Sequence, residues 1–486
     1  MISQPLSNPN KLPPKMKVKN RSISILIIIC LQYSCSNKVK QKTTQKTKPT
    51  NVVVIVMDDM GYGDLSSFGH PTINTPNIDK LANNGQKWTN FYAASSVCSP
   101  SRGALLTGRY PIRIGLAGNK ERVFFPESKG GLPTEEITIA EMLKKIGYKT
   151  GIIGKWHLGH LPKFLPTNQG FDYYYGIPYS NDMDAINWSV ERLLGPSNIK
   201  FWNVPLMEND SIIERPANQY TITKRYTEKA VEFIKKNKNE PFFLYLPHTM
   251  VHTPLFASEK FSKKSLRGLF GDVMSEVDWS VGRVIATLKE LKLEKNTLVI
   301  LTSDNGPWLM MREHGGSPGL LTNGKGTTWE GGMRVPGIFY MPGTIQPGTI
   351  QNLGATLDIL PTIASFTNAK LPDDRILDGF DLSSVLKEKS SSKREHFFYY
   401  RKKELFAVRK GDYKAHFIIQ NCYTDNDEKI ILKKPLLFNV NIDPSEQYDH
   451  SDQHPKVLNK INTLVDNHKK TIAIKTSELD KYATKK

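Results

Sequence analysis

Asp58 and Asp59 are adjacent acids at the end of an apolar run, and Asp304-Asn305 closes another. Neighbouring buried carboxylates repel unless a cation or a shared proton compensates them. Three carboxylates and an amide are all oxygen donors, a set that suits a hard divalent cation, calcium before magnesium. Taken alone, the Asp58-Asp59 pair also fits a solvated turn with a helix cap. No cysteine–histidine cluster argues for zinc. Cys98 sits in Ser96-Val-Cys-Ser-Pro-Ser-Arg-Gly-Ala-Leu-Leu-Thr-Gly108. Pro100 suits a first helical turn and Ala104-Leu105-Leu106 continue a helix, so Cys98 is expected at a helix N-terminus. There the partial positive charge favours an anion, and Arg102 lies one turn later on the same face. A lone cysteine is otherwise a small core hydrophobe.

The positions of these groups along the chain are systematic. Val52-Val-Val-Ile-Val-Met57 is a continuous β-branched run, the pattern of a strand buried on both faces. Thr150–Ile153, Phe242–Leu246 and Thr297–Thr302 repeat it, and helical patterns at Ile137–Ile146, Tyr226–Lys235 and Val273–Leu291 separate them. Alternating strands and helices imply an α/β fold, a mostly parallel sheet covered on both sides. Ligands of such sheets bind beyond the carboxyl ends of the strands. The residues there are Asp58-Asp59, Lys155-Trp156-His157, His248 with His252, and Asp304-Asn305. After about residue 390 short strands at Phe397–Tyr400, Leu405–Arg409, Tyr413–Ile419 and Leu436–Val440 precede a helix near Pro455–Asn467, which predicts a small antiparallel α+β subdomain.

The chain has 486 residues and a net charge of +19. Ten lysines and arginines and no acids precede Asn51, so about +9 remains on the rest, mildly basic and suited to an anionic substrate. No nucleic-acid-binding motif accompanies the charge, so nucleic acid is not an expected partner. Lys17, Lys19 and Arg21 before the apolar run Ile23–Leu31 read as a secretory leader, too short for a comfortable membrane span. Cys35 directly after it resembles the lipidated cysteine of bacterial lipoproteins, which would tether the chain to a membrane in the periplasm or at the cell surface. An ordinary cleaved leader is the alternative, and Met16 is an alternative start. The expected division is a signal peptide over 1–35, a flexible basic tether over 36–50, a catalytic domain over 51–390 and the small subdomain over 391–486. Of the four cysteines Cys30 and Cys35 lie in the leader, which leaves Cys98 and Cys422. No disulfide framework is expected; a Cys98–Cys422 bridge is the competing reading.

Cys98-Ser-Pro-Ser-Arg102 followed by Leu105-Leu-Thr-Gly108 resembles the Cys-x-Pro-x-Arg signature of type I sulfatases, and Gly147-Tyr-Lys-Thr-Gly-Ile-Ile-Gly-Lys-Trp-His157 resembles their second signature. The likeness continues through Gly170-Phe-Asp172, Gly176–Ser180, His252-Thr-Pro254, Ser303-Asp-Asn-Gly306, Gly324–Gly332, Tyr413–Phe417 and Asp443-Pro444. Within the family the chain resembles arylsulfatase A and N-acetylgalactosamine 6-sulfatase in particular, and the likeness covers roughly residues 51–450. The resemblance implies an alkaline-phosphatase-like fold and hydrolysis of a sulfate ester. It implies oxidation of Cys98 by formylglycine-generating machinery to formylglycine (3-oxoalanine), whose hydrate attacks sulfur and then releases sulfate by elimination. It implies one calcium held by Asp58, Asp59, Asp304 and Asn305 and touching the Cys98-derived group. Arg102 and Lys155 would steady the hydrate, His157 would take its second proton, and His252 and Lys325 would face the leaving oxygen. Ser180, with Lys155, His252 and Lys325, would contact the sulfate.

The stretches Asp182–Pro216 and Cys422–Lys434 do not match and are expected to line the pocket rim. Trp188, Trp202 and Trp308 are candidates for stacking on sugar rings, with core or loop packing the alternative; Trp329 is read as structural. The expected substrate is a sulfated saccharide, in degradation of sulfated polysaccharide outside the cytoplasm. Two other functions stay open at this point: a phosphatase or phosphonate monoester hydrolase of the same superfamily, and a non-catalytic surface glycan-binding lipoprotein.

Overall fold

The structure, a computed structural model, describes residues 48–422 and 428–482. The leader, Cys35 and nearly all of the basic tether lie outside the described residues. Among the described residues no helix is long and apolar enough to cross a membrane.

The large sheet is mixed and mostly parallel, with eleven strands. These are β1 (Asn51–Met57), β2 (Gln86–Tyr92), β3 (Lys149–Ile153), β4 (Tyr173–Gly176), β5 (Leu206–Glu208), β6 (Ser211–Glu214), β7 (Phe242–Pro247), β8 (Thr297–Ser303), β9 (Arg334–Tyr340), β10 (Gly348–Ile350) and β11 (Gly354–Ala355). They run in the order β10-β2-β9-β8-β1-β7-β3-β4-β5-β6, with β11 beside β2. The centre, β8-β1-β7-β3-β4, is parallel throughout.

Strand β1 shows why the sequence is apolar without alternation. Val53, Ile55 and Met57 join one core, and Val52, Val54 and Val56 join the core on the opposite face. Each such fully buried side chain contributes about 1.5–3 kcal/mol relative to exposure. The first core includes Tyr226, Phe233, Val277 and Val281, from helices Ile222–Lys236 and Gly268–Glu290. The second includes Leu105, Leu143 and Ile363, from helices Cys98–Thr107, Ile139–Lys144 and Ile359–Thr367.

The sequence reading contains four of these eleven strands, β1, β3, β7 and β8; of the other seven, β2 and β9 escape it for clear physical reasons. Strand β2 mixes polar and aromatic residues. Strand β9 contains Pro336, a residue that removes a ladder donor. Its pairing with β2 shifts register between Trp88 and Phe91, opposite Pro336, and this irregularity accommodates the proline. Strand β9 runs antiparallel to both neighbours.

A separate antiparallel sheet follows: β12 (His396–Arg401), β13 (Glu404–Lys410), β14 (Tyr413–Ile419) and β15 (Ile430–Asn439), paired in chain order. Strand β15 starts earlier than the expected Leu436, and the last helix spans Pro455–Thr471. Both sheets belong to one compact unit, Lys48–Lys486. Glu330, fully buried, joins them: it receives the Lys414 ammonium at 3.0 Å and the Tyr399 hydroxyl at 3.2 Å from the small sheet, and the Arg334 guanidinium at 3.3 Å and the Tyr92 hydroxyl at 2.5 Å from the large one. Lys414 also meets Glu446 at 2.9 Å. Trp329 packs on His416 with ring centres 4.5 Å apart, the structural role expected of it.

Candidate active site

Parallel register assembles the acids. Met57 lies opposite Ser303, so the next residues, Asp58 and Asp304, emerge side by side at the sheet's carboxyl edge. The Asp304 amide donates to the Met57 carbonyl at 3.1 Å, and the Asp59 amide donates to Asp304 Oδ1 at 3.2 Å. Strand β3 ends at Gly154, whose φ of +136° and 1.8 Å clearance between a hypothetical Cβ and the Pro247 carbonyl admit only glycine. The turn it makes brings Lys155 in, with its amide on the Pro247 carbonyl at 2.8 Å. Asp59 and His157 both hold left-handed backbone, φ 59° and 60°. Such strain persists where surrounding structure fixes it and clusters at functional sites.

Cys98 opens helix Cys98–Thr107, whose ten residues are all buried. Its Sγ lies 3.4 Å from Asp58 Oδ1 and 4.0 Å from Asp59 Oδ1. Arg102, one turn on, pairs with Asp304 at 2.8 Å and Asp58 at 3.4 Å, and donates to the Lys155 carbonyl at 2.9 Å. Lys155 Nζ meets Asp58 at 2.5 Å and Ser180 Oγ at 3.1 Å. Lys325 Nζ meets Asp59 at 2.7 Å, and His252 Nε2 lies 3.5 Å from the same carboxylate oxygen. Asn305 donates to Asp59 Oδ1 at 2.7 Å. The structure thus gathers Asp58, Asp59, Cys98, Arg102, Lys155, His157, Ser180, His252, Asp304, Asn305 and Lys325 at one place. His248 stands apart: it is buried with Nε2 3.3 Å from Ser280 Oγ. Neither Cys98 nor Cys422 forms a disulfide.

Burial and charge set the protonation states. Burial opposes ionisation of Asp58, but Lys155 and Arg102 outweigh it and hold the carboxyl well below the usual range. Burial, reinforced by the Asp58 charge and opposed by Arg102, pushes Asp304 up to about 7. Burial pushes the Cys98 thiol well up despite Lys155 and Lys325 nearby, so the thiolate is disfavoured. Burial, then the Lys155 charge, lowers His157, which is therefore neutral. Its Nε2 donates to the Phe124 carbonyl at 2.9 Å, so Nδ1 carries the lone pair, and Nδ1 has no hydrogen-bond partner. Burial, then Lys325, lowers His252 as well; its Nδ1 donates to the Thr253 carbonyl at 2.5 Å.

The donor set fits a hard cation. Oxygen atoms of Asp58, Asp59 and Asp304, with the Cys98 sulfur, lie within 4.8 Å of one another. Asn305 Oδ1 is buried without a hydrogen-bond partner, an arrangement that a metal ligand explains and an ordinary buried amide does not. The three carboxylates face three cations, Arg102, Lys155 and Lys325, so a divalent ion would leave the site with net positive charge for an anionic substrate.

These groups open onto a cavity of about 350 Å³ lined by Cys98, His157, Ser180, His252 and Lys325, and by a rim that includes Asp182, Trp188 and Trp308. Lys120, Glu121, Arg122, Val123 and Phe125 also line it, and this segment went unnoticed in the sequence. Phe124 both orients His157 and donates its amide to Ser99 Oγ at 3.1 Å. Asn181 was also missed: fully buried, it bonds the Pro254 carbonyl at 3.0 Å and Gln219 at 3.0 Å, bracing the His252 turn. The Val123-Phe-Phe125 run among charged residues was the available signal for the first; no sequence signal marked the second.

Residues 50–369 match the Sulfatase family, and residues 392–486 match the C-terminal region of aryl-sulfatase. Human arylsulfatase A is 41% identical over 426 residues, 83% of each chain. Mouse N-acetylgalactosamine-6-sulfatase is 37% identical over 465 residues, 87% of each. Among solved structures, the PsFucS1 sulfatase from Pseudoalteromonas sp. superposes with a TM-score of 0.76 at 30% identity, covering 90% of this chain and 92% of its own. The chain belongs to the sulfatase family and has its alkaline-phosphatase-like fold. It is a sulfatase, an enzyme that hydrolyses sulfate esters.

Proposed function

We propose that this sulfatase removes sulfate from a sulfated carbohydrate, using a formylglycine made from Cys98 and a calcium held by Asp58, Asp59, Asp304 and Asn305. The observation that carries this reading is the assembly of a buried, non-nucleophilic thiol, an all-oxygen donor set and two histidines around one cavity. Oxidised and hydrated, the Cys98 side chain offers one hydroxyl for attack on sulfur and a second whose deprotonation releases the sulfate. Calcium, when bound, lowers the pKa of the attacking hydroxyl and offsets sulfate charge.

The chain's own residues do the rest. Lys155 fixes Ser180 and Asp58 together, which sets a cation and a hydroxyl donor side by side for sulfate oxygens. His157 presents an unprotonated Nδ1 in a cavity shared with Cys98, the state a base needs to take the second hydroxyl's proton. His252 is neutral beside Lys325; a sulfate anion between them screens that repulsion and raises the histidine toward the protonated form that donates to the leaving oxygen.

Matured protein is expected to hydrolyse 4-nitrocatechol sulfate at least tenfold better, in kcat/KM, than 4-nitrophenyl phosphate. A preference for the phosphate would replace this reading with a phosphatase. Dialysis against a calcium chelator is expected to lower both activity, by tenfold or more, and the unfolding temperature, because an ion that binds only the folded state stabilises it by mass action. Added calcium should restore both better than magnesium; recovery with zinc alone would point to a different centre.

A further inference from the structure

We infer that Trp188 and Asp182 form a saccharide-selecting wall at the mouth of the active-site cavity. This rests on the sulfatase reading of the site and names what its leaving group must be. Of three tryptophans that were candidates for sugar stacking, the structure separates one. Trp202 is 1% exposed and its backbone bridges to Ala185, so its indole is core. Trp308 is half-buried against the catalytic groups, its ring 5.5 Å from His252 and 4.8 Å from Lys325 Nζ. Trp188 lines the same cavity and is 56% exposed. At a cavity mouth a half-exposed indole offers a flat apolar face to whatever enters.

The position of Trp188 is fixed. The Ile186 amide donates to the Phe201 carbonyl at 2.9 Å, and Ser189, the next residue after the tryptophan, caps helix Val190–Leu194. The platform is thus held from both sides of its own loop.

Asp182 supplies the second half of the argument. It lines the cavity, and its Oδ1 has no hydrogen-bond partner. A carboxylate only accepts, so a hydroxyl donor of a ligand entering the cavity would pair with it. A flat apolar wall beside an acceptor suits the C–H face and hydroxyls of a pyranose. A simple aryl group satisfies the wall and leaves the carboxylate unpaired, at the cost of an unmet buried acceptor. The cavity volume, about 350 Å³, lies at the small end of ligand pockets, room for a sulfate and the ring that bears it. Both residues fall in Asp182–Pro216, where the family motifs do not extend.

The test compares 4-nitrocatechol sulfate with a panel of sulfated mono- and disaccharides of galactose, N-acetylgalactosamine, glucosamine and fucose. Wild-type enzyme is expected to hydrolyse at least one saccharide. On it, Trp188→Ala should raise KM about tenfold, and the loss in kcat/KM should exceed the loss on the aryl sulfate at least fivefold. Trp188→Phe, which keeps a ring, should stay within about threefold of wild type, and Asp182→Ala should show the same saccharide-selective loss. Equal losses on both substrates, no loss on the saccharide, or a Phe variant as poor as the Ala variant overturns the proposal. Aryl sulfate turnover without turnover of any saccharide also overturns it. Failure on both substrate types in protein shown by mass to carry formylglycine would instead bring down the sulfatase mechanism beneath it.

Discussion

Cys98→Ala is expected to lower turnover by about 10⁴-fold or more while leaving the fold intact, as removal of a covalent nucleophile does elsewhere. The fold should survive because the thiol's contacts are weak and redundant: Sγ donates to Asp58 at 3.4 Å, and that carboxylate is already paired with Lys155 and Arg102. Removing a buried sulfur leaves only a small void. The variant should therefore match wild type in circular dichroism and unfolding temperature. Activity within tenfold of wild type would place the nucleophile elsewhere. Cys98→Ser is the informative companion: it keeps a hydroxyl but lacks the second one, so a sulfated, stalled enzyme should accumulate and be visible by mass.

The second large effect concerns stability. Glu330→Gln is expected to destabilise the protein by about 3–5 kcal/mol, the loss seen when one partner of a buried ion pair is removed. Glutamine can still accept from Tyr92 and Tyr399, but it leaves Lys414 and Arg334 buried with half the compensating charge. The pH dependence follows from the same contacts. Burial opposes the Glu330 charge, yet Lys414 and Arg334 outweigh it and depress its pKa from 4.5 to about 2. A depressed carboxyl stabilises the fold above its unfolded pKa, and that stabilisation is lost as pH falls through about 2. Wild type should thus lose stability between about pH 4.5 and 2, and the variant should lose less over that interval. Urea unfolding at several pH values measures both; a variant within 1 kcal/mol of wild type would show the network to be energetically neutral.

Much of the site was legible because its residues sit where a parallel sheet delivers them. Asp58, Lys155, His252 and Asp304 each follow a buried strand closely, and unbroken apolar runs announce those strands. Glycine-flanked motifs marked Lys155 and Lys325. What was not legible depends on contacts between distant segments. Strand β9 carries Pro336 and is tolerated only because β2 shifts register beside it. Glu330 and Lys414 fall inside motifs, but nothing in the sequence pairs them, and both are buried where the two sheets meet. Three tryptophans near the pocket were indistinguishable as letters; exposure separates Trp188 from Trp202. Asn181 acts through its side-chain amide and leaves no compositional trace, and Phe124 acts through its backbone, with only the Val123-Phe-Phe125 run to hint at it.

The helix that begins at Cys98 has no exposed residue, and Cys98 itself is 1% accessible. This fixes an order of events in time. An enzyme that oxidised this thiol would have to reach it, and in the folded molecule the helix that carries it is buried along its whole length. On the proposed mechanism, oxidation of Cys98 would therefore come while the segment is still free of the sheet, before folding is complete. If so, protein that folds without that step would stay unmodified until it unfolds again. Under that order of events, co-production with an oxidising enzyme would give more active material than treatment of the folded protein.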